Sequence, residues 1–421
     1  MADTITLDNG LRLIATPVPH ARSVSISIYL AAGARFEQPH DAGLSHFVEH
    51  LCFKGTARRP LPLDIASEID AMGGTLNAAT DREFTVYYAK VTPELTEQAL
   101  DMLTDLVRHS LFREQEVERE RGVILEELAA VEDSPAEQSG ILLDSLLWPG
   151  QPHGRDIAGT PDTLSAITTQ RLVDYYRRQY VANATVISIA GAIDEVRARE
   201  LVAAVTADWA PGDPAGWLRA TEEPLGDRSG AISKETEQAH LSFGMRGLSF
   251  ADEDRYALDL LSVVLGEGMS SRLFMRLREE LGLCYDIHTF VSHLRDAGSF
   301  GLYAGVDPRQ APEAACEIVN ELKRALEPVS VEELERAQRM LRTRLQLSME
   351  DTRAVSAWYG SQEALGIPRM TPEQVTARTD AVSVEDVRRV ATRLISDDRL
   401  HFALVGPLDA DQLLADLGVD D

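Results

Sequence analysis

The chain has 421 residues, of which 44% are hydrophobic and 26% charged, and its net charge is -27. The hydrophobic share is ordinary for a soluble globular protein, the length predicts two domains of about 200 residues rather than one core, and the acidity argues against nucleic acid as a partner. No run of about 20 apolar residues occurs, so no membrane span is expected; three cysteines (Cys52, Cys284, Cys316) make no disulfide framework and fit a reducing, cytoplasmic setting.

The N-terminal segment has neither the basic nor the apolar stretch of a secretory signal. Asp8-Asn9-Gly10, between Ile5/Leu7 and Leu11/Leu13/Ile14, predicts a hairpin turn. Next comes His46-Phe47-Val48-Glu49-His50, flanked by Leu44 and Leu51 with no proline, which reads as a helix. Positions i and i+4 share a helix face, so His46 and His50 can hold one metal ion with Glu49 at its edge. The order is that of the familiar H-E-x-x-H zinc motif reversed. Cys52, just beyond, reads as core packing rather than a further ligand.

The segment 112–132 predicts a long helix on which Glu120, Ile124, Glu127 and Val131 share one stripe. Two acids on a partly apolar stripe are costly unless something pairs with them, and a metal ion would. Glu126 lies about 100° around the helix and reads as solvated. Glu127 is therefore the third ligand, and Glu120 joins the catalytic group as its neighbour. Two histidines and one carboxylate leave a fourth tetrahedral position for water, the mark of a catalytic zinc site. Zinc would acidify that water, and Glu49 is the natural general base. The other histidines (His20, His40, His109, His153, His240, His288, His293, His401) have no ligand spacing and read as structural.

The chain also repeats itself. Tyr88-Ala89-Lys90-Val91-Thr92-Pro93 recurs as Tyr303-Ala304-Gly305-Val306-Asp307-Pro308, and Thr185–Asp194 recurs as Leu400–Asp409, both at an offset of 215 residues. Val24–Tyr29 matches His240–Met245 at nearly the same shift. Two duplicated domains follow: 1–210, a linker 211–229 rich in Pro, Gly and charge, and 230–421. Each half reads as strands, helices, a strand pair, long helices and a closing strand–helix, an α+β class with a mainly antiparallel sheet backed by helices. Shifted by 215, His46, Glu49 and His50 fall on Leu261, Val264 and Leu265, so the second half has lost the ligands. Gly266-Glu267-Gly268 matches no nucleotide-binding fingerprint.

His46–His50 with Glu120 and Glu127 resembles the inverted-motif zinc peptidases of the pitrilysin family, M16, and among them the bacterial members of about this length akin to the mitochondrial processing peptidase β subunit. The likeness runs over nearly the whole chain. Gly73–Tyr88 resembles that family's substrate-binding edge strand, and Leu265–Phe274 with Leu281–Tyr285 its second-half signature. The resemblance implies a LuxS/processing-peptidase-like metallohydrolase fold and one Zn2+ per chain. It implies peptide pairing at Asn77, Ala78, Ala79 and Thr80, and an Arg278/Tyr285 pair that holds the substrate backbone and the oxyanion; Arg276 and Arg272 are the alternatives for the arginine. It further implies a homodimer, or a heterodimer with a zinc-less homologue, in which Arg278 and Tyr285 serve the other subunit's zinc. The expected function is zinc-dependent endopeptidase action on unstructured peptides or presequence-like segments. A scaffold subunit of the same fold and a peptide-binding module with an incidental metal are the competing classes; intact ligands, base and Arg/Tyr pair oppose the first, and Glu49 at the base position opposes the second. The acidity would either steer cationic peptides or merely aid solubility.

Overall fold

The alternation Val24-Ser25-Ile26-Ser27-Ile28-Tyr29-Leu30 would suit a strand with one wet face, yet all seven residues are buried. In this computed structural model, which describes residues 3–222 and 226–408, a helix from far along the chain covers the serine face. Val24, Ile26, Ile28 and Leu30 enter the main core. On the opposite face Ser25 Oγ bonds Thr352 Oγ1 at 2.8 Å, and Ser356 Oγ donates to Ser27 Oγ at 2.9 Å. Helix Thr352–Leu365 thus lies flat on the sheet. Gly360 permits this: a Cβ there would lie 2.5 Å from the Tyr29 ring.

The first sheet comprises β1 (Ile5–Thr6), β2 (Arg12–Pro17), β3 (Val24–Leu30), β4 (Thr75–Thr80), β5 (Thr85–Val91) and β6 (Thr185–Gly191). Its order is β1-β2-β6-β3-β5-β4, antiparallel except for β2 beside β6. The turn at Asp8–Gly10 forms, with Gly10 at φ 83° and Ile5 opposite Leu13. The second sheet, of β7 (Ser229–Ser233), β8 (Ala239–Arg246), β9 (Cys284–His293), β10 (Gly298–Val306) and β11 (His401–Gly406), has the order β7-β11-β8-β10-β9, antiparallel except for β7 beside β11. β2, β6, β3, β5 and β4 therefore correspond in order to β7, β11, β8, β10 and β9, which is the duplication seen in the offset of 215.

Five helices follow one another through residues 44–147: α1 (Leu44–Cys52), α2 (Pro62–Met72), α3 (Thr96–His109), α4 (Glu114–Glu132) and α5 (Pro135–Leu147). The long helix starts two residues later than the segment 112–132 predicts. Phe112 takes φ 46° and packs its ring on Tyr176 at 4.7 Å, so the chain turns there before the helix begins.

Compact units interleave along the chain. Among the described residues, one contains those up to Leu128, Asp156–Leu218 and Gln346–Arg369; the other contains Ala129–Arg155, Arg219–Leu345 and those from Met370. Each contiguous half, 1–210 and 230–421, thus lends one helical segment to the other half's sheet. In the second unit α5 repeats the device. Ser139 Oγ bonds Ser242 Oγ at 2.9 Å, and Gly244 leaves room for Leu143, whose methyl would lie 2.9 Å from an added Cβ.

Candidate active site

α1 is fixed before its histidines appear. Gly43, at φ 97°, brings its backbone against the Ala158 carbonyl, where a Cβ would sit 2.6 Å from the oxygen. The buried Glu37 carboxylate then accepts from Gly43 N at 3.1 Å and Ser45 N at 2.6 Å. An anion capping the first turn satisfies free N–H groups and suits the positive end of the helix. Leu44, Phe47, Val48 and Leu51 bury one face. His46, Glu49 and His50 are left at the half-buried rim.

His46 Nε2 and His50 Nε2 lie 3.2 Å apart, and Glu127 Oε2 on α4 lies 3.9 Å and 3.5 Å from them. Ligand atoms held about 2.0–2.1 Å from a tetrahedral zinc stand about 3.3–3.4 Å from one another. The triangle fits that ion, and these three side chains are the metal-compatible group found among the described residues. Burial, and then the neighbouring His50, pushes His46 down to about 4, so its ring is neutral at pH 7 and offers a lone pair. Glu120, 2% exposed, accepts from His50 Nδ1 at 3.2 Å. A carboxylate can only accept, so this bond makes Nδ1 the donor and leaves Nε2 free to ligate. Glu126 is exposed.

Glu49 Oε2 takes a hydrogen bond of 2.5 Å from Thr80 Oγ1. Burial raises the Glu49 pKa above the usual glutamate range; the Thr80 bond and His50 oppose that shift, and Glu127 adds to it. Thr80 ends β4, which is the edge strand of its sheet and pairs with β5 alone among the described strands. Alternation along β4 separates the four predicted substrate residues. Thr80, opposite Thr85, and Ala78, packed on the core, share the face towards α1. Asn77 and Ala79 take the other face, and the Asn77 amide oxygen accepts from Ala78 N at 2.8 Å.

In the second unit, Arg278 lies on a wide π-helical turn, Phe274–Glu280, and Tyr285 on β9. The Arg278 guanidinium sits 4.8 Å from the Phe274 ring centre and 4.9 Å from that of Tyr285, which is 74% exposed. Arg272 is engaged twice by Glu333, at 2.7 and 2.8 Å, and Arg276 by Glu317 and Glu280. Of the three arginines, Arg278 is the one stacked on Tyr285.

Two residues of the site carried no motif signal. Glu37 caps α1 from an isolated position in the sequence. Lys54, in the turn just past α1, binds Glu120 Oε1 at 2.8 Å; its place four residues after His50 is a spacing that could have flagged it. Cys52 is fully buried in the core.

The donor set, two imidazoles and a carboxylate with an acid beside them, has the composition of a hydrolytic metal centre. Residues 13–161 match the family model described as insulinase, peptidase family M16, and residues 166–341 match the peptidase M16 inactive domain. An uncharacterized zinc protease of Streptomyces coelicolor is 37% identical over 96% of this chain and 89% of its own length. The uncharacterized zinc protease YmxG of Bacillus subtilis is 34% identical over 97% of this chain and 98% of its own. The chain belongs to peptidase family M16. Among solved structures, a protease from Helicobacter pylori superposes with a TM-score of 0.91 at 21% identity, covering 97% of this chain and 99% of that one. A chain of complex III2 from Candida albicans superposes with a TM-score of 0.84 at 19% identity, covering 99% and 100%. Both likenesses establish the fold: two α+β domains with mainly antiparallel sheets. Among the described residues no helix is long and apolar enough to cross a membrane.

Proposed function

We propose that this chain is a zinc-dependent endopeptidase acting on unstructured peptides or presequence-like segments. The observation that carries the reading is the convergence of His46, His50 and Glu127 beside Glu49, with Glu49 bonded to the last residue of an edge strand. The names of the relatives, zinc proteases, support it. One zinc per chain, held by His46, His50 and Glu127, would supply a water acidic enough to react near neutral pH. Glu49 takes the proton of the attacking water and returns it to the leaving amine. Glu120 orients His50. The free edge of β4 receives the peptide as an added strand through main-chain bonds, which tolerates many sequences. Arg278 and Tyr285 hold the substrate backbone and donate to the oxyanion. They act at the metal site of a second chain, in a homodimer or in a heterodimer with a zinc-less homologue.

The test is cleavage of a peptide library by the purified chain, read by mass spectrometry beside a Glu49→Gln variant. Cleavage that needs zinc and falls by roughly 10²-fold or more in the variant, with zinc retained, is expected. Undiminished cleavage by Glu49→Gln would remove the reading.

A further inference from the structure

We propose that Lys54 is a positioning residue of the metal site, fixing the His50 ring through Glu120. The inference rests on reading His46, His50 and Glu127 as that site. Glu120 projects from α4 into the core with 2% exposure, and an ionised carboxylate so placed needs compensation. Its two oxygens are divided between two partners: Oε2 accepts from His50 Nδ1 at 3.2 Å, and Oε1 meets Lys54 Nζ at 2.8 Å. A ligating His50 is neutral and brings no charge to the pair. Among the described residues, the cation in contact with Glu120 is then Lys54, which pins Oε1 and so turns Oε2 towards His50. Without the Lys54 contact the Glu120 carboxylate could turn about its own side-chain bonds, and the bond that sets His50 would lose its direction.

Lys54 is itself held on both sides. Its backbone N–H donates to Leu51 O at 3.0 Å, closing the turn that ends α1. Gly55 follows at φ 121°, so close to the chain that a Cβ would lie 2.5 Å from Pro60 O. Thr56 Oγ1 donates to the buried Asp105 at 2.7 Å, and Arg59 binds Asp105 and Glu68 at 2.8 Å and 2.6 Å. A lysine that merely offset the negative end of α1 would need none of this, and its ammonium would stay in water. Here the ammonium is drawn onto a carboxylate that is almost wholly buried.

The test measures zinc affinity by competition with a chromophoric chelator for the full chain. The variants are Lys54→Met, Lys54→Arg, Glu120→Gln and Lys54→Met/Glu120→Gln, with His50→Ala as reference. Lys54→Met should weaken zinc about 10-fold, the low end of the loss when a group orienting a metal-bound histidine is disturbed. Lys54→Arg, which keeps the charge, should stay within about 3-fold of wild type, and Lys54→Met should add nothing once Glu120 is Gln. If Lys54→Met does not fold, Lys54→Gln is read the same way. Wild-type affinity in Lys54→Met while His50→Ala loses zinc overturns the role of Lys54 and leaves the metal site standing. An equal loss with and without Glu120 also overturns it. Wild-type affinity in His50→Ala removes the metal-site reading, and this proposal with it.

Discussion

Thr80→Val is the sharpest test of how Glu49, the general base we propose, is held. The substitution keeps the branched shape of the side chain and deletes the hydroxyl that donates to Glu49 at 2.5 Å. A hydrogen bond to a charged group contributes about 1.5–3 kcal/mol. If all of it served to aim Glu49 in the transition state, its loss would lower kcat about 10- to 150-fold. Thr80 is half-buried, so water can replace part of the bond, and the expected loss is about 10-fold. The β4 main chain is untouched, so KM should stay within about twofold if peptides bind by strand pairing. Zinc content should not change, because Thr80 contacts none of His46, His50 and Glu127 by hydrogen bond. The assay is steady-state cleavage of a quenched fluorescent peptide, with metal content measured on the same samples. A double-mutant cycle supplies the control: in a Glu49→Gln background Thr80→Val should cost nothing further. A kcat within twofold of wild type, or the same loss with and without Glu49, would refute the argument that this bond aims the base.

Glu127→Gln should lose most of its zinc by metal analysis; full occupancy in that variant would move the third ligand elsewhere, with Glu126 the first to examine. Tyr285→Phe should lower kcat by roughly 10²-fold with zinc unchanged, as for loss of one oxyanion donor. Mixing it with Glu49→Gln should restore activity if two chains share a site, whereas a dead mixture with demonstrated subunit exchange would assign the pair to its own chain. Gly122→Ala on α4, where an added methyl meets nothing within 4 Å, should stabilise by up to about 1 kcal/mol. Gly360→Ala should instead lower the melting temperature, since overpacking against Tyr29 at 2.5 Å costs about 1–3 kcal/mol; a raised melting temperature for Gly360→Ala would count against the packing of helix Thr352–Leu365.

What could be read from the chain depended on range. The His46/His50 spacing is a local fact of helix geometry, and the stripe of Glu120 and Glu127 is another, so the ligand candidates were visible before any fold was known. The duplication was legible because both copies kept their strands: β5 with β10 and β6 with β11 stand at the offset of 215. The exchange of helices was not. Ser25 and Ser27 look like a solvent face, and nothing near them in sequence shows that Thr352 and Ser356 will meet them. Likewise, the Lys54–Glu120 and Thr80–Glu49 bonds join residues 66 and 31 apart, and only the packing of α1 against α4 and β4 brings them together.

The comparison of the two halves shows what this site asks of its fold. Leu261, Val264 and Leu265, which replace His46, Glu49 and His50, are 0%, 3% and 0% exposed. In the second unit the helix Arg255–Gly266 closes directly onto the edge strand β9. Ser262 Oγ donates to Thr289 Oγ1 at 3.0 Å, and a Cβ on Gly266 would lie 2.5 Å from the Thr289 side chain. α1 meets its own edge strand through the side chains of Glu49 and Thr80 instead, with its histidines only partly covered. Replacing His46, Glu49 and His50 with apolar residues and filling the space between helix and strand are therefore one change seen from two sides. The same framework folds either way. Polar residues on a helix that could have been buried cost stability, and the first half keeps that cost where His46, His50 and Glu127 converge beside the edge strand, the place at which we propose that peptide and metal meet.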